Sequence, residues 1–369
     1  MKLPPYQDLS KEQEGVNNVP LAGSYLVTGP PGTGKTVIAL YRSQMVERRG
    51  RKANLIMFNG LLKRYTEAAL ADLNVGAEAN TGLSWFYGTF WENFRVYVPN
   101  VSDYHPDWDF IMETLSAKGK AARVTSDLII DEGQDLPPGF YRAARVMAEN
   151  ITVFADENQT ISPVDYSTFE QIRHALGPDH KVLRLRRNYR NTLQIAQVAD
   201  FYFTDARTGT AEPPAKVGPK PQIRRTESLD EAIDLIRTYE ANNDRQEIGV
   251  FVTDHGALRA VKNALQGTTK NEIHAYFGNK ASGDMSMGEP GVRIMCSESA
   301  KGLEFDAVFI PEVHGFATYL TDKKALKRRF YVMTSRAREA LFMFWSGSSE
   351  PAILKGLPDA IVDRRKGSK

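Results

Sequence analysis

Hydrophobic residues along this chain fall into short, nearly continuous runs separated by longer stretches of mixed character. SYLVTG (24–29), ANLIMFN (53–59), SDLIIDE (126–132) and NITVFADE (150–157) are rich in Ile, Val, Leu and Phe with little alternation. That is the pattern of strands buried on both faces in a parallel sheet. A second set follows in KVLRLRRN (181–188), EIGVFVTD (247–254), VRIMCSES (292–299), DAVFIPEV (306–313) and ALFMFWSG (340–347). Helix-like stretches lie between the runs, such as TVIALYRSQMVERRG (36–50), which Gly50 closes. Strands alternating with helices predict an α/β fold with parallel sheets, and the number of strands predicts two domains. The break is expected at RHALGPDHK (173–181), where Gly177-Pro178 interrupts the pattern, giving domains 1–176 and 177–369. TGTAEPPAKVGPKPQ (208–222) and FGNKASGDMSMGEPG (277–291) read as loops.

Composition narrows the picture only a little. Of 369 residues, 42% are hydrophobic and 25% charged, an ordinary globular balance. A net charge of +2 does not announce a nucleic-acid binder, though it leaves room for a local basic groove. The single Cys296 excludes an internal disulfide framework and suits a reducing compartment. No secretion signal and no run of membrane-spanning length is visible, so a cytoplasmic protein with no membrane partner is expected.

Two stretches carry chemistry. GPPGTGKT (Gly29, Pro30, Pro31, Gly32, Thr33, Gly34, Lys35, Thr36) follows a strand and opens a helix, the context that the phosphate-binding loop G-x-x-x-x-G-K-[ST] requires. Its glycines let backbone N–H groups turn toward phosphate oxygens, and the helix N-terminus adds partial positive charge. Lys35 is placed to reach the β- and γ-phosphates of ATP and the Thr36 hydroxyl to bind Mg²⁺. In LIIDEGQD (128–135), Asp131 ends an apolar strand, where a carboxylate that holds Mg²⁺ through water belongs, and Glu132 is placed to activate the attacking water. An acidic turn at a strand end is the plainer reading of this second stretch, and the loop upstream tips the balance against it.

Taken in order, the motifs resemble those of superfamily 1 DNA helicases of the UvrD/Rep type. DEGQD resembles the family's DExQD box, and VFADENQTIS (153–162) its third motif, which makes Gln159 a γ-phosphate sensor. LRRNYRNT (185–192) resembles the fourth motif, which implies that Tyr189 stacks on adenine and Arg190 touches the γ-phosphate. SESAKGLEFDAVFIPEV (297–313) resembles the fifth, with Gly302 in its turn and Glu304 on the ribose. RRFYVMTSRARE (328–339) resembles the sixth, with Arg336 as an arginine finger, and LSKEQEGV (9–16) resembles the glutamine motif, with Gln13 reading adenine. The resemblance implies two RecA-like P-loop NTPase domains with the ATP site in the cleft between them. It also implies hydrolysis of ATP to ADP and movement on single-stranded DNA, 3′ to 5′, with RNA left open.

The chain departs from that family in ways that shape a second expectation. The spans Arg95–Ser126 and Arg190–Lys301 have no room for the family's large inserted domains, so a bare two-domain core is expected. Leu83 stands where the family's T-x-H-S motif has histidine, and QTISPVDYSTF (159–169), with Tyr166 and Phe169 displaced and no tryptophan, departs from the family's aromatic-rich, base-stacking continuation. A nucleotide-gated switch within a larger complex, beside a nuclease or other protein subunit, is therefore the alternative to a motor. Phe86, Phe90, Phe94 and Tyr97 recur at helical spacing and read as a core stripe, with Trp85 and Trp91 off the stripe as candidates for base stacking. Lys324, Lys327, Arg328 and Arg329 are either a phosphate-binding run or a solvated helix face. Cys296 reads as packed and inert, and no histidine or carboxylate spacing suggests another metal site.

Overall fold

The computed structural model describes residues 3–57, 60–102, 105–159, 166–204, 209–278, 280–281, 289–319 and 322–365. The chain divides into two compact units, Met1–Gly29 with Gly34–Leu185, and Pro30–Thr33 with Arg186–Lys369. The first is built on β1 (Ser24–Thr28), β2 (Ala53–Met57), β3 (Glu78–Thr81), β6 (Thr125–Ile130), β7 (Ala148–Ala155) and β8 (Lys181–Arg184). Among the described residues these pair in the order β3-β2-β6-β7-β1-β8, every pair parallel. A short hairpin, β4 (Asn100–Ser102) with β5 (His105–Pro106), stands apart from the sheet. Alternate strand residues serve opposite faces. Leu26, Ile130, Ile151 and Val153 join a core with the helices Gly82–Phe94, Trp108–Lys118, Pro138–Met147 and Phe169–Leu176. The helix Lys35–Arg48 packs on the other face, where its buried Arg42 donates to Thr152 Oγ1 at 2.8 Å.

The second unit holds β9 (Gln222–Arg225), β10 (Glu247–Val252), β11 (Ile273–Phe277), β12 (Lys280–Ala281), β13 (Gly291–Cys296), β14 (Phe305–Ile310), β15 (Ala337–Trp345) and β16 (Asp363–Arg365). Their order is β12-β11-β13-β10-β14-β15-β9-β16, parallel throughout except for the β11–β12 pair. Two parallel sheets, each in its own α/β unit, agree with the expected pair of RecA-like domains. Among the described residues no helix is long and apolar enough to cross a membrane.

Several expectations are corrected in detail. KVLRLRRN does not belong to the second set of strands: Lys181–Arg184 pairs with β1, Tyr25 opposite Lys181. The helix Phe169–Leu176 does stop at Gly177, but the chain then returns to the first sheet, so the division falls after Leu185. The aromatic stripe ends early. Arg95 takes a left-handed conformation (φ 55) that terminates the helix after Phe94, so Tyr97 leaves the stripe, is 78% exposed and stacks on Trp91 at 4.2 Å. Trp85 is buried against Phe140, 5.9 Å between ring centres, and is unavailable to a base. In the basic run, Arg329 pairs with Glu298 at 2.6 Å, Arg328 donates to Thr204 Oγ1 at 3.4 Å, and Lys327 lies over Phe201 at 5.7 Å. These are contacts of a packed helix face. Residues 209–221 carry no strand or helix, whereas in the loop expected over 277–291 Lys280–Ala281 forms β12 and pairs with β11, and residues 279 and 282–288 lie outside the described residues.

Candidate nucleotide site

The first unit brings its predicted residues together where β1, β6 and β7 end. β1 delivers the loop at Gly29, and Lys35 Nζ donates to the Gly29 carbonyl at 2.6 Å, folding the ammonium over the loop. Gly34 has φ +88, a conformation open to glycine, and a Cβ there would lie 2.3 Å from Gln13 Nε2. Within Pro30–Thr33, the stretch of the loop that falls to the second unit, Thr33 Oγ1 donates to the Pro30 carbonyl at 2.9 Å. The helix then starts at Lys35, so its first N–H groups face whatever the loop encloses.

β6 ends at Ile130 and presents Asp131, whose Oδ2 accepts from Thr36 Oγ1 at 2.6 Å. Asp131 Oδ1 is buried with no hydrogen-bond partner. Burial first, then the Glu132 charge, push the Asp131 carboxyl up, against Thr36 and Lys35. A hydroxyl and a carboxylate side by side, with one oxygen unsatisfied, form a hard oxygen-only donor set that fits Mg²⁺, with phosphate and water completing the shell. Glu132 adopts φ 53, a left-handed conformation that costs a residue other than glycine about 1–3 kcal/mol and that clusters at functional sites. Its Oε2 accepts from Gln134 Nε2 at 2.7 Å.

Gln134 and Asp156 were not singled out from the sequence as site residues, yet they organise this end of the sheet. Gln134 Oε1 accepts from the backbone N–H of Asp156 at 2.9 Å, so one side chain ties the end of β6 to the end of β7. Asp156 is fully buried and accepts from Gln159 Nε2 at 2.8 Å and from the Asn158 N–H at 3.0 Å. Burial pushes its carboxyl up, and Lys35 is the largest influence opposing that. The signal for Gln134 was legible, because it is the glutamine of DEGQD. Asp156 gave a fainter one, as the acid that ends a buried strand. Gln13 sits in a capping box that S-x-x-Q also announces: Gln13 N–H donates to Ser10 Oγ at 3.2 Å, and Ser10 N–H to Gln13 Oε1 at 3.0 Å.

The second unit gathers the remaining residues around β14 and β15. Arg190 Nε donates to Glu304 Oε2 at 2.8 Å, both side chains about one-sixth exposed. Gly302 turns the chain before Glu304 with φ +77. Arg336 is 1% exposed; its Nε donates to the Val332 carbonyl at 3.0 Å, Nη1 to the Leu303 carbonyl at 3.3 Å and Nη2 to Ser335 Oγ at 3.2 Å. Tyr189 is 43% exposed, with Arg187 over its ring at 5.9 Å. Asn191 Nδ2 donates to the Ser335 carbonyl at 3.1 Å and so holds the segment of Arg190 against that of Arg336.

Known proteins resemble the chain in the same two parts. An AAA domain family matches residues 12–165, and the UvrD-like helicase C-terminal domain family matches residues 270–348. The chain is a UvrD-like superfamily 1 helicase. Among solved structures, this UvrD-like helicase resembles the C-terminal domain of a possible DNA helicase from Lactobacillus plantarum, at 21% identity, 48% coverage of this chain, 98% of that one and a TM-score of 0.38. No curated protein matches it. As a UvrD-like helicase it is an ATP-hydrolysing enzyme of the helicase class.

Proposed function

We propose that this UvrD-like ATPase is a motor that hydrolyses ATP to ADP and moves along single-stranded DNA in the 3′ to 5′ direction, in the cytoplasm. The observation that supports it most is the Thr36–Asp131 pair with its unsatisfied buried oxygen, beside a Glu132 held in a strained conformation. In this reading Lys35 meets the β- and γ-phosphates, and Thr36 and Asp131 hold Mg²⁺, which spreads the charge of those phosphates. Glu132, oriented by Gln134, takes the proton of the attacking water. Gln159, steered by Asp156, registers the γ-phosphate. Gln13 and Tyr189 receive adenine, Glu304 the ribose, and Arg190 and Arg336 the charge that develops on the transferring phosphoryl group. For the nucleic acid, Tyr97 stacked on Trp91, with Arg95 over Trp91 at 5.7 Å, is the exposed aromatic and cationic surface that suits base stacking.

ATP turnover of the full chain, measured with and without single-stranded DNA, tests the proposal. A motor is expected to be strongly stimulated. High basal turnover with no response to DNA would instead support a nucleotide-gated switch within a larger complex. One observation favours that second reading: among the described residues, the chain between Arg95 and the start of β6 holds only a small hairpin, the helix Trp108–Lys118 and a short turn of helix, where the family resemblance implies an inserted domain in full-size members.

A further inference from the structure

One arginine beside Glu304 has no part in the roles above. Arg338 lies at the start of β15, next to β14, which begins just after Glu304. Its Nη1 lies 3.4 Å from Glu304 Oε1 and its Nη2 2.7 Å from Asp306 Oδ1. The other oxygen of Asp306 accepts from the Glu247 N–H at 2.9 Å, at the first residue of β10. Arg338, on β15, is thus braced against β14 and, through Asp306, against β10. Arg190 is held differently: it lies in the turn before the helix Leu193–Phe201, where its own N–H donates to Asn188 Oδ1 at 2.9 Å. Glu304 therefore gives one oxygen to an arginine on the sheet and the other to an arginine on a turn. Burial pushes the Glu304 carboxyl up, but Arg190 and Arg338 together more than offset it and hold it below its ordinary value.

The proposed function asks two things of this cluster that conflict. Arg190 has to leave Glu304 for a phosphate oxygen, and Glu304 has to stay charged and aimed at the ribose. A largely buried carboxylate stripped of its only cation is strongly disfavoured. We propose that Arg338 is a positioning residue for nucleotide binding. It keeps Glu304 ionised and oriented while Arg190 exchanges the carboxylate for phosphate, so the Arg190–Glu304 pair is the arrangement that ATP replaces. The planar fork suits this task, because it reaches Glu304 and Asp306 together, which a lysine ammonium does less well. The inference rests on the roles proposed for Arg190 and Glu304.

The test compares ATP with 2′,3′-dideoxy-ATP, which lacks the ribose hydroxyls, in steady-state turnover by the full chain. Wild type is expected to prefer ATP on the order of 10-fold or more in kcat/KM, as for a hydrogen bond to a charged acceptor. In Arg338→Ala that preference is expected to fall to within about twofold of unity, because Glu304 stays with Arg190. Arg338→Lys and Asp306→Asn are expected to fall between the two. An arginine that merely supports the fold would slow both nucleotides alike, and an unchanged preference in Arg338→Ala overturns the proposal. If that variant does not fold, an unchanged preference in both milder variants overturns it. A wild type with no preference for ATP removes the ribose role of Glu304 itself, and the proposal with it.

Discussion

At the scale of single residues, Lys35 and Glu132 make the sharpest claims. In the proposed mechanism Lys35 supplies the charge that the β- and γ-phosphates need in both ground and transition states, so Lys35→Ala is expected to abolish ATP turnover. Normal turnover by the purified variant would remove Lys35 from the chemistry. Glu132 is proposed to act later in the cycle. Glu132→Gln keeps the size of the side chain and a polar tip beside Gln134, so nucleotide affinity is expected to stay near wild type while hydrolysis falls ~10²-fold or more. Equilibrium binding set against single-turnover hydrolysis separates the two, and an equal loss in both would make Glu132 a binding residue. Cys296 takes no part: it is buried in β13, and burial, with Glu298 and Asp254 nearby, pushes its thiol up to about 11.

At the scale of elements, the first unit depends on close helix packing behind the nucleotide residues. Gly139, in the helix Pro138–Met147, faces Trp108 so closely that a Cβ would lie 2.2 Å from the indole Cγ. Gly139→Ala is expected to destabilise the protein by ~1–3 kcal/mol, the usual range for overpacking. The midpoint of urea unfolding reads this, and an unchanged midpoint would mean that the two helices separate at little cost. The helix Gly82–Phe94 matters for a different reason: its end sets Trp91, Arg95 and Tyr97 in one surface patch. Removing both rings, as Trp91→Ala with Tyr97→Ala, is expected to weaken single-stranded DNA binding by ~1–3 kcal/mol per stacked base and to leave DNA-free turnover intact. Unchanged DNA affinity would return these rings to surface packing.

At the scale of the whole molecule, Arg336 carries the sharpest test of the proposed motor. Its guanidinium satisfies the Val332 and Leu303 carbonyls within the second unit, so the finger role requires it to give up part of that bonding when ATP binds. Arg336→Ala is expected to lower kcat on the order of 10³-fold, more than it raises KM, and lysine is expected to rescue poorly. The same variant should melt at a lower temperature, because it removes the buried donor to the Leu303 carbonyl, so kinetics are read on protein shown to be folded. A normal kcat would make Arg336 a packing residue and leave Arg190 as the remaining candidate finger.

The sequence by itself determined the strands that carry the chemistry. β1, β6, β7, β10, β13, β14 and β15 were legible because burial on both faces leaves unbroken apolar runs, a local property of the chain. The phosphate loop and DEGQD were legible for a related reason: backbone turns and strand ends constrain residue type at fixed spacing. β3, β9 and β16, written EANT, QIRR and DRR, gave no such signal, because polar residues become strands there only through their parallel neighbours. β8 looked like part of the second set for the same reason, since pairing with β1 is a contact between segments far apart in the chain. Tertiary structure alone decided which charges meet. Gln134 reaches Asp156, and Arg338 reaches Glu304, because strand order places them side by side, while Asn191 holds the turn of Arg190 against Ser335, and no spacing in the sequence encodes either contact.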